Sequence, residues 1–308
     1  MNKKIAVIGA GNVGASCALY LAEANMADVV MVDIIEGVPQ GKGLDLTQAG
    51  PVRGYNAKVT GSNDMKDIKG SDIVIMTAGV PRKPGMSRED LLTTNADIIA
   101  SVGKNIKKYA PDSFVIMVSN PLDLMTFHMQ KVTGFPRNRV FGQAGVLDST
   151  RFRAFVAMEL NVAMSEVQAM VLGGHGDTMV PLPRYTTVAG IPISELIPKD
   201  RIKAISERTR MGGGEIVKLL KTGSAYYAPA AATVDMCLSV FNDEKKLLPA
   251  SAYLTGQYGI KDIYIGVPVV LGAKGVERII ELKLSQSELK ALQKSAGTYK
   301  EHLKILGY

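Results

Sequence analysis

The chain has no tryptophan, two cysteines and three histidines in 308 residues. Cys17 and Cys237 stand 220 positions apart, which excludes a disulfide framework and a thiolate metal cluster; no metal site is expected. So sparse a use of cysteine points to a reducing, cytoplasmic compartment. Long apolar runs are missing too, so no membrane span is expected. Met1-Asn2-Lys3-Lys4 before an Ala-rich apolar stretch to Ala24 resembles the start of a secretory signal. Gly9, Gly11, Asn12 and Gly14 interrupt it at once and argue against that reading. Internal repeats and Gly/Ser- or Pro-rich linkers are also lacking. The net charge of +7 has no tract behind it: residues 1–146 carry 16 basic and 13 acidic groups, and residues 147–308 carry 20 and 16. An excess spread so evenly gives no footprint for nucleic acid.

What is present is ordinary globular composition, 46% hydrophobic and 21% charged, in a length that suits one large domain or two smaller ones. The first half alternates short apolar runs with helical patterns. Lys4–Ile8, Val29–Asp33, Asp72–Thr77 and Ser113–Val118 read as strands, and Val13–Asn25 as a helix. The strands are apolar throughout rather than at alternate positions, which marks strands covered on both faces. Residues 1–145 are therefore expected to form an α/β domain of the Rossmann type, a doubly wound parallel sheet. Residues 146–308 mix helical patterns near 150–160 and 200–221 with turn-rich β segments, and are expected to form an α+β substrate domain. There Ile263–Leu271 and Val276–Leu282 read as a hairpin turning at Gly272, Lys274 and Gly275. The last helix carries Leu289, Leu292, Ala296, Tyr299, Leu303 and Leu306 at three- and four-residue spacing, with Ser285 and Glu288 as a capping box.

Gly9-Ala10-Gly11-Asn12-Val13-Gly14 follows the first strand and opens the first helix. Glycines in that order allow a tight turn, close approach of a pyrophosphate and close packing of helix on sheet. Asp33 ends the second strand, 19 residues after Gly14, where a carboxylate accepts from ribose hydroxyls. It would repel a 2′-phosphate, and the next residue is Ile34 rather than arginine, so NAD is expected rather than NADP.

Among the histidines, His175 alone is framed by glycines, in Gly173-Gly174-His175-Gly176-Asp177. A histidine there is suited to exchanging a proton with a ligand, or simply to capping a turn. His128 and His302 fall in helical runs and read as ordinary helix residues. The segment Ala78–Arg88 follows a buried strand and holds Arg82, Lys83 and Arg88 with two prolines; Ser87 and Asp90 suit the cap of the next helix. It reads as a solvated basic loop or as a lid that carries arginines to an anionic substrate.

Together these segments resemble the NAD-dependent lactate and malate dehydrogenases over nearly the whole chain. The resemblance rests on the Gly9–Gly14 turn, Asp33, the Ala78–Arg88 segment, Asn95, Val118–Asp123, Leu147–Arg151 and Gly173–Asp177. Val38–Leu46 is similar to the malate dehydrogenases nearest in sequence to lactate dehydrogenases. The resemblance implies oxidation of (S)-malate by NAD to oxaloacetate in the tricarboxylic acid cycle, a small dicarboxylate as substrate, and a homodimer or homotetramer.

It also implies roles. His175 would exchange the hydroxyl proton, and Asp148 would orient and charge-stabilise its ring; adjacency alone does not make Asp177 that partner. Arg151 would pair the substrate's C1 carboxylate, Arg88 would polarise the reacting oxygen, and Asn120 would contact substrate and cofactor. Asn95 and the backbone of Val118, Ser119 and Asn120 would support the dinucleotide beside Gly9, Ala10, Gly11, Asn12, Val13, Gly14 and Asp33. Arg82 stands where lactate dehydrogenases usually carry glutamine and malate dehydrogenases arginine. An arginine left unpaired in a closed site costs roughly 3–5 kcal/mol, which favours a substrate with a second carboxylate. The alternatives are a lactate or other 2-hydroxy-acid dehydrogenase and, more distantly, an inactive NAD-binding regulatory protein.

Overall fold

A computed structural model describes residues 3–80 and 88–308, with Arg88 by its backbone alone. The apolar runs of the first half become six strands: β1 (Lys4–Ile8), β2 (Asp28–Val32), β3 (Val59–Ser62), β4 (Ile73–Met76), β5 (Phe114–Met117) and β6 (Val140–Gly142). They pair in parallel in the order β3-β2-β1-β4-β5-β6. That is the Rossmann doubly wound order, with its reversal between β1 and β4. Ile5, Val7, Ile73, Ile75 and Ile116 are fully buried, as expected of strands covered on both faces. The covering helices of this half are α1 (Asn12–Ala24), α2 (Val38–Arg53), α3 (Arg88–Tyr109) and α4 (Leu122–Thr133).

The second half opens with α5 (Ala144–Leu160). Five two-residue strands follow: β7 (Val167–Gln168), β8 (Val171–Leu172), β9 (Val180–Pro181), β10 (Thr187–Val188) and β11 (Ile191–Pro192). The remaining helices are α6 (Ile193–Leu196), α7 (Lys199–Leu220), α8 (Tyr227–Phe241) and the last one, α9 (Gln286–Ile305). Between α8 and α9 run β12 (Lys246–Thr255), β13 (Lys261–Gly272) and β14 (Gly275–Ile279). These three are antiparallel and join the parallel sheet where Ser251 of β12 faces Gly142 of β6, so one nine-stranded sheet crosses both halves.

The predicted hairpin is present, but β14 stops at Ile279 rather than Leu282. The Tyr258 hydroxyl takes the Leu282 N–H at 2.9 Å and draws the chain out of the ladder. The capping box of α9 has both bonds, Glu288 N–H to Ser285 Oγ and Ser285 N–H to Glu288 Oε2. Cys17 on α1 and Cys237 on α8 are free thiols buried where those helices pack together, and burial pushes the Cys17 thiol up to about 12.

The turn from β1 into α1 admits no side chain at Gly14. A Cβ there would lie 1.9 Å from the Gly9 carbonyl oxygen, a backbone atom that cannot rotate away. Gly14→Ala is expected to destabilise the chain by about 1–3 kcal/mol, the usual cost of overpacking, read as a lower urea midpoint at unchanged slope.

Candidate active site

The carboxyl ends of β1, β4 and β5 are tied to one another by side chains. Thr77 Oγ1, after β4, donates to the Ile8 and Gly9 carbonyls at 2.9 and 3.1 Å. Ser119 Oγ, after β5, donates to the Ala78 carbonyl at 2.5 Å. Asn95, on α3 and 2% exposed, joins both loops. Its Oδ1 accepts from the Val80 N–H, and its Nδ2 donates to the Val80 and Asn120 carbonyls. A buried amide with all these groups satisfied holds backbone rather than filling space. The Asn120 side chain is exposed at this rim.

Three features of the glycine turn fit a dinucleotide. No side chain caps α1, so the N–H groups of its first turn keep their donors for an anion. A Cβ placed on Gly11 would meet nothing within 4 Å, so the face above the turn is open. Asp33, just past β2, accepts from the Ala10 N–H at 2.6 Å and the Ile35 N–H at 3.0 Å, which leaves carboxylate lone pairs for hydroxyl donors. Lys42 on α2 donates to the Ala10 carbonyl at 2.6 Å, so both main-chain polar groups of Ala10 are held by side chains. Nothing in the sequence pattern singled out Lys42 for that contact.

Asp148 and Arg151 sit three residues apart on one face of α5. His175 lies beyond β8, in a loop anchored by the reciprocal Gly173–Gly266 backbone bonds to β13. His175 Nδ1 and Asp148 Oδ2 are 2.8 Å apart, and Arg151 Nη1 reaches Asp148 Oδ1 at 3.3 Å. An ionised carboxylate only accepts, so Nδ1 carries the hydrogen and a neutral ring keeps its lone pair on Nε2. The three side chains are 15%, 3% and 13% exposed for His175, Asp148 and Arg151. Arg151 Nε is buried with no partner among the described residues, so the guanidinium has donor capacity in reserve for an anion.

Burial alone would pull the His175 imidazole down. The charge and hydrogen bond of Asp148, with Asp123 behind, outweigh burial and the opposing Arg151, and hold it above the ordinary histidine value. Burial lowers the Arg151 guanidinium against the pull of Asp148.

The His175 main chain is held as firmly as its ring. Its N–H donates to Asp123 Oδ2 on α4 at 2.8 Å, and its carbonyl accepts from Tyr299 Oη on α9 at 3.1 Å. Ser295 Oγ, one turn earlier on α9, accepts from the Gly174 N–H at 3.0 Å. A Cβ on Gly174 would lie 2.1 Å from the Tyr299 ring, so this approach requires glycine. Asp123 closes the segment Val118–Asp123 quoted above, but sequence reasoning gave it no role, and Ser295 and Tyr299 read only as part of an amphipathic helix.

Of the sequence candidates, the structure brings His175, Asp148 and Arg151 into contact and gathers Asn95, Val118, Ser119 and Asn120 beside the glycine turn. Arg82, Ser87 and the Arg88 side chain lie outside the described residues, so neither their roles nor a Ser87 cap has a geometry here. His128 stays apart, bonded through Nε2 to the Ala96 carbonyl and through Nδ1 to the Tyr308 hydroxyl. Among the described residues no cluster of metal-ligating side chains occurs and no helix is long and apolar enough to cross a membrane.

A Rossmann sheet with an open glycine turn and a separate imidazole–carboxylate pair is the arrangement of an NAD-dependent oxidoreductase, and comparison with known proteins places the chain in that class. The family description "lactate/malate dehydrogenase, NAD binding domain" matches residues 3–142, and "lactate/malate dehydrogenase, alpha/beta C-terminal domain" matches residues 145–306. The chain belongs to the lactate/malate dehydrogenase family. It is 58% identical over 296 residues to a malate dehydrogenase of Roseiflexus sp. (strain RS-1), covering 96% of both chains. Its fold is similar to the crystal structure of Cryptosporidium parvum malate dehydrogenase, with a TM-score of 0.97 and 47% identity over 100% of this chain and 99% of that one. It is also similar to a lactate dehydrogenase from the same organism, solved with lactic acid and the cofactor, at a TM-score of 0.96 and 47% identity, covering 100% of this chain and 98% of that one.

The His175–Asp148 pair has a signature independent of any substrate. Because the folded value of His175 is raised, the stability it contributes is fully present below pH about 6.5 and is lost as pH rises through the folded value. Asp148→Asn is expected to move the imidazole midpoint, followed by NMR, to lower pH and to remove that window. An unmoved midpoint would contradict the pairing.

Proposed function

We propose that the chain works as a malate dehydrogenase, with residues 1–145 binding NAD and residues 146–308 supplying most of the catalytic groups. The observation that carries this reading is one buried carboxylate, Asp148, shared by an imidazole and by a guanidinium with unspent donors. The glycine turn, Asp33, Lys42 and the Asn95-linked loops would hold NAD, which when bound would supply the hydride acceptor for C2 of the hydroxy acid and, reduced, the hydride donor for the reverse reaction. Nε2 of neutral His175 accepts the hydroxyl proton of malate as C2 is oxidised, and Asp148 stabilises the imidazolium that results. In reduction the protonated ring returns the proton to the carbonyl oxygen. Arg151 holds the C1 carboxylate, and burial of its guanidinium strengthens that pairing. Arg88 polarises the reacting oxygen, Asn120 contacts substrate and cofactor, and Arg82 meets the second carboxylate.

The reading extends to place and assembly. Large apolar side chains exposed on α7, Met211 at 62% and Leu219 at 74%, support a homodimer or homotetramer, which sedimentation measures. Two free, buried thiols support a cytoplasmic enzyme, where the reaction serves the tricarboxylic acid cycle.

Steady-state NADH oxidation tests the substrate. Oxaloacetate is expected to exceed pyruvate in kcat/KM by roughly two to three orders of magnitude, and Arg82→Gln to erase most of that preference. Equal values for the two acids would sink the role given to Arg82 and favour a broader 2-hydroxy-acid dehydrogenase. NADPH is expected to replace NADH poorly, because Asp33 repels a 2′-phosphate.

Replacing the acid/base gives a separate check. His175→Asn is expected to bind NADH normally and to lose about 10²–10⁴-fold in kcat, the usual contribution of a positioned proton donor. In the parent, oxaloacetate reduction should fall as pH rises through the raised His175 value, while malate oxidation should rise through it.

A further inference from the structure

The groups that bear on His175 come from three helices: Asp148 and Arg151 on α5, Asp123 on α4 and Tyr299 on α9, with Asp177 of its own loop acting on Tyr299. Asp148 and Arg151 already have work in the reaction proposed above. Asp123 has none, yet it is 1% exposed and accepts a hydrogen bond on each oxygen. Its Oδ2 accepts from the His175 N–H at 2.8 Å, and its Oδ1 accepts from Ser251 Oγ on β12 at 2.6 Å. Ser251 is the residue at which β12 pairs with β6, so the carboxylate links the His175 loop to the seam of the sheet.

We propose that Asp123 is a positioning residue for proton transfer, its carboxylate fixing the His175 main chain against the sheet and placing a second negative charge behind the imidazolium. The inference rests on the acid/base reading of His175. Two carboxylates then flank one ring, Asp148 on Nδ1 and Asp123 on the backbone nitrogen. The first sets orientation within the ring plane, and the second sets where the loop carries the ring.

Stability does not account for an acid at this position. Burial pushes the Asp123 carboxyl up to about 6, although Ser251 and the His175 N–H pull it down. For a raised acid, the favourable contribution is present below the unfolded value and is lost as pH rises through about 6. At neutral pH the ionised group therefore costs stability. A neutral amide of the same shape would accept from the His175 N–H and donate to the Ser251 hydroxyl without that cost.

The experiment compares the full-length parent with Asp123→Asn and Ser251→Ala. For Asp123→Asn we expect a melting temperature no lower than the parent's and NADH affinity within about twofold. We also expect oxaloacetate kcat/KM to be reduced at least about tenfold at neutral pH, with the His175 limb moved about half to one unit lower. Ser251→Ala should move the limb in the same direction by less, because loss of that hydrogen bond leaves Asp123 more protonated. A folded Asp123→Asn with rate and limb within about twofold and a tenth of a unit of the parent's overturns the proposal. If Asp123→Asn does not fold, an unmoved limb in Ser251→Ala overturns it instead. A parent that turns over no oxaloacetate refutes the underlying function, and NMR titration of His175 in the same variants then decides the charge role without a substrate.

Discussion

The Asp148 carboxylate is the constraint around which the site is built. A carboxylate 3% exposed is costly unless it is paired, and the two groups that pair with this one are His175 and Arg151. Each partner gains what it lacks alone. The imidazole, which burial would hold neutral, is made easier to protonate than an ordinary histidine. The guanidinium is fixed along α5 by a single Nη1 contact, so its remaining donors are not consumed. Removing the carboxylate would leave a buried cation and a histidine that resists protonation. On the proposed reading, one acid on one helix face therefore governs both substrate pairing and proton transfer.

Holding that geometry requires the rest of the fold. Asp148 comes from α5, the helix that follows β6, while His175 comes from a loop beyond β8, and nothing local in the chain makes them meet. The meeting is enforced by the backbone bonds of Gly173 to Gly266, by Asp123 from α4 and by Tyr299 and Ser295 from α9. The cofactor half is braced in the same manner, with Asn95 spanning two loops and Lys42 and Asp33 gripping Ala10. Both halves use buried polar side chains to fix main chain at the carboxyl ends of the strands, where a doubly wound sheet presents its ligand crevice.

How much of this was legible depended on where each signal lies. β1, β2, β4 and β5 were readable because strands buried on both faces are apolar at successive positions. β6 escaped because three residues make no pattern, and β12 because Pro249, Ala250, Ser251 and Ala252 imitate a turn-rich segment. Gly14 and Gly174 could be recognised as special, but only the structure shows that a backbone carbonyl excludes a Cβ from one and the Tyr299 ring from the other. His175, Asp148 and Arg151 were legible as residue types in motifs. Asp123, Lys42, Ser295 and Tyr299 were not, since each bonds to a main-chain atom far away in sequence, and a main-chain atom leaves no residue type to read.

Charge balance extends the reasoning to the residues that approach from outside this cluster. Asp123, Asp148, Arg151 and neutral His175 sum to one negative charge; protonation of the ring brings the sum to zero. A dicarboxylate brings two more negative charges into a largely buried space, and Arg151 is already shared with Asp148. Binding is favourable only if further cations face the substrate. The sequence supplies them as Arg82, between β4 and α3, and Arg88, the first residue of α3. On the proposed reading the cluster around Asp148 is therefore balanced for the proton but not for the substrate. On that reading, the cations that select a second carboxylate come from outside α4, α5 and α9, the helices that fix the proton relay, so the relay keeps one geometry whichever acid is bound.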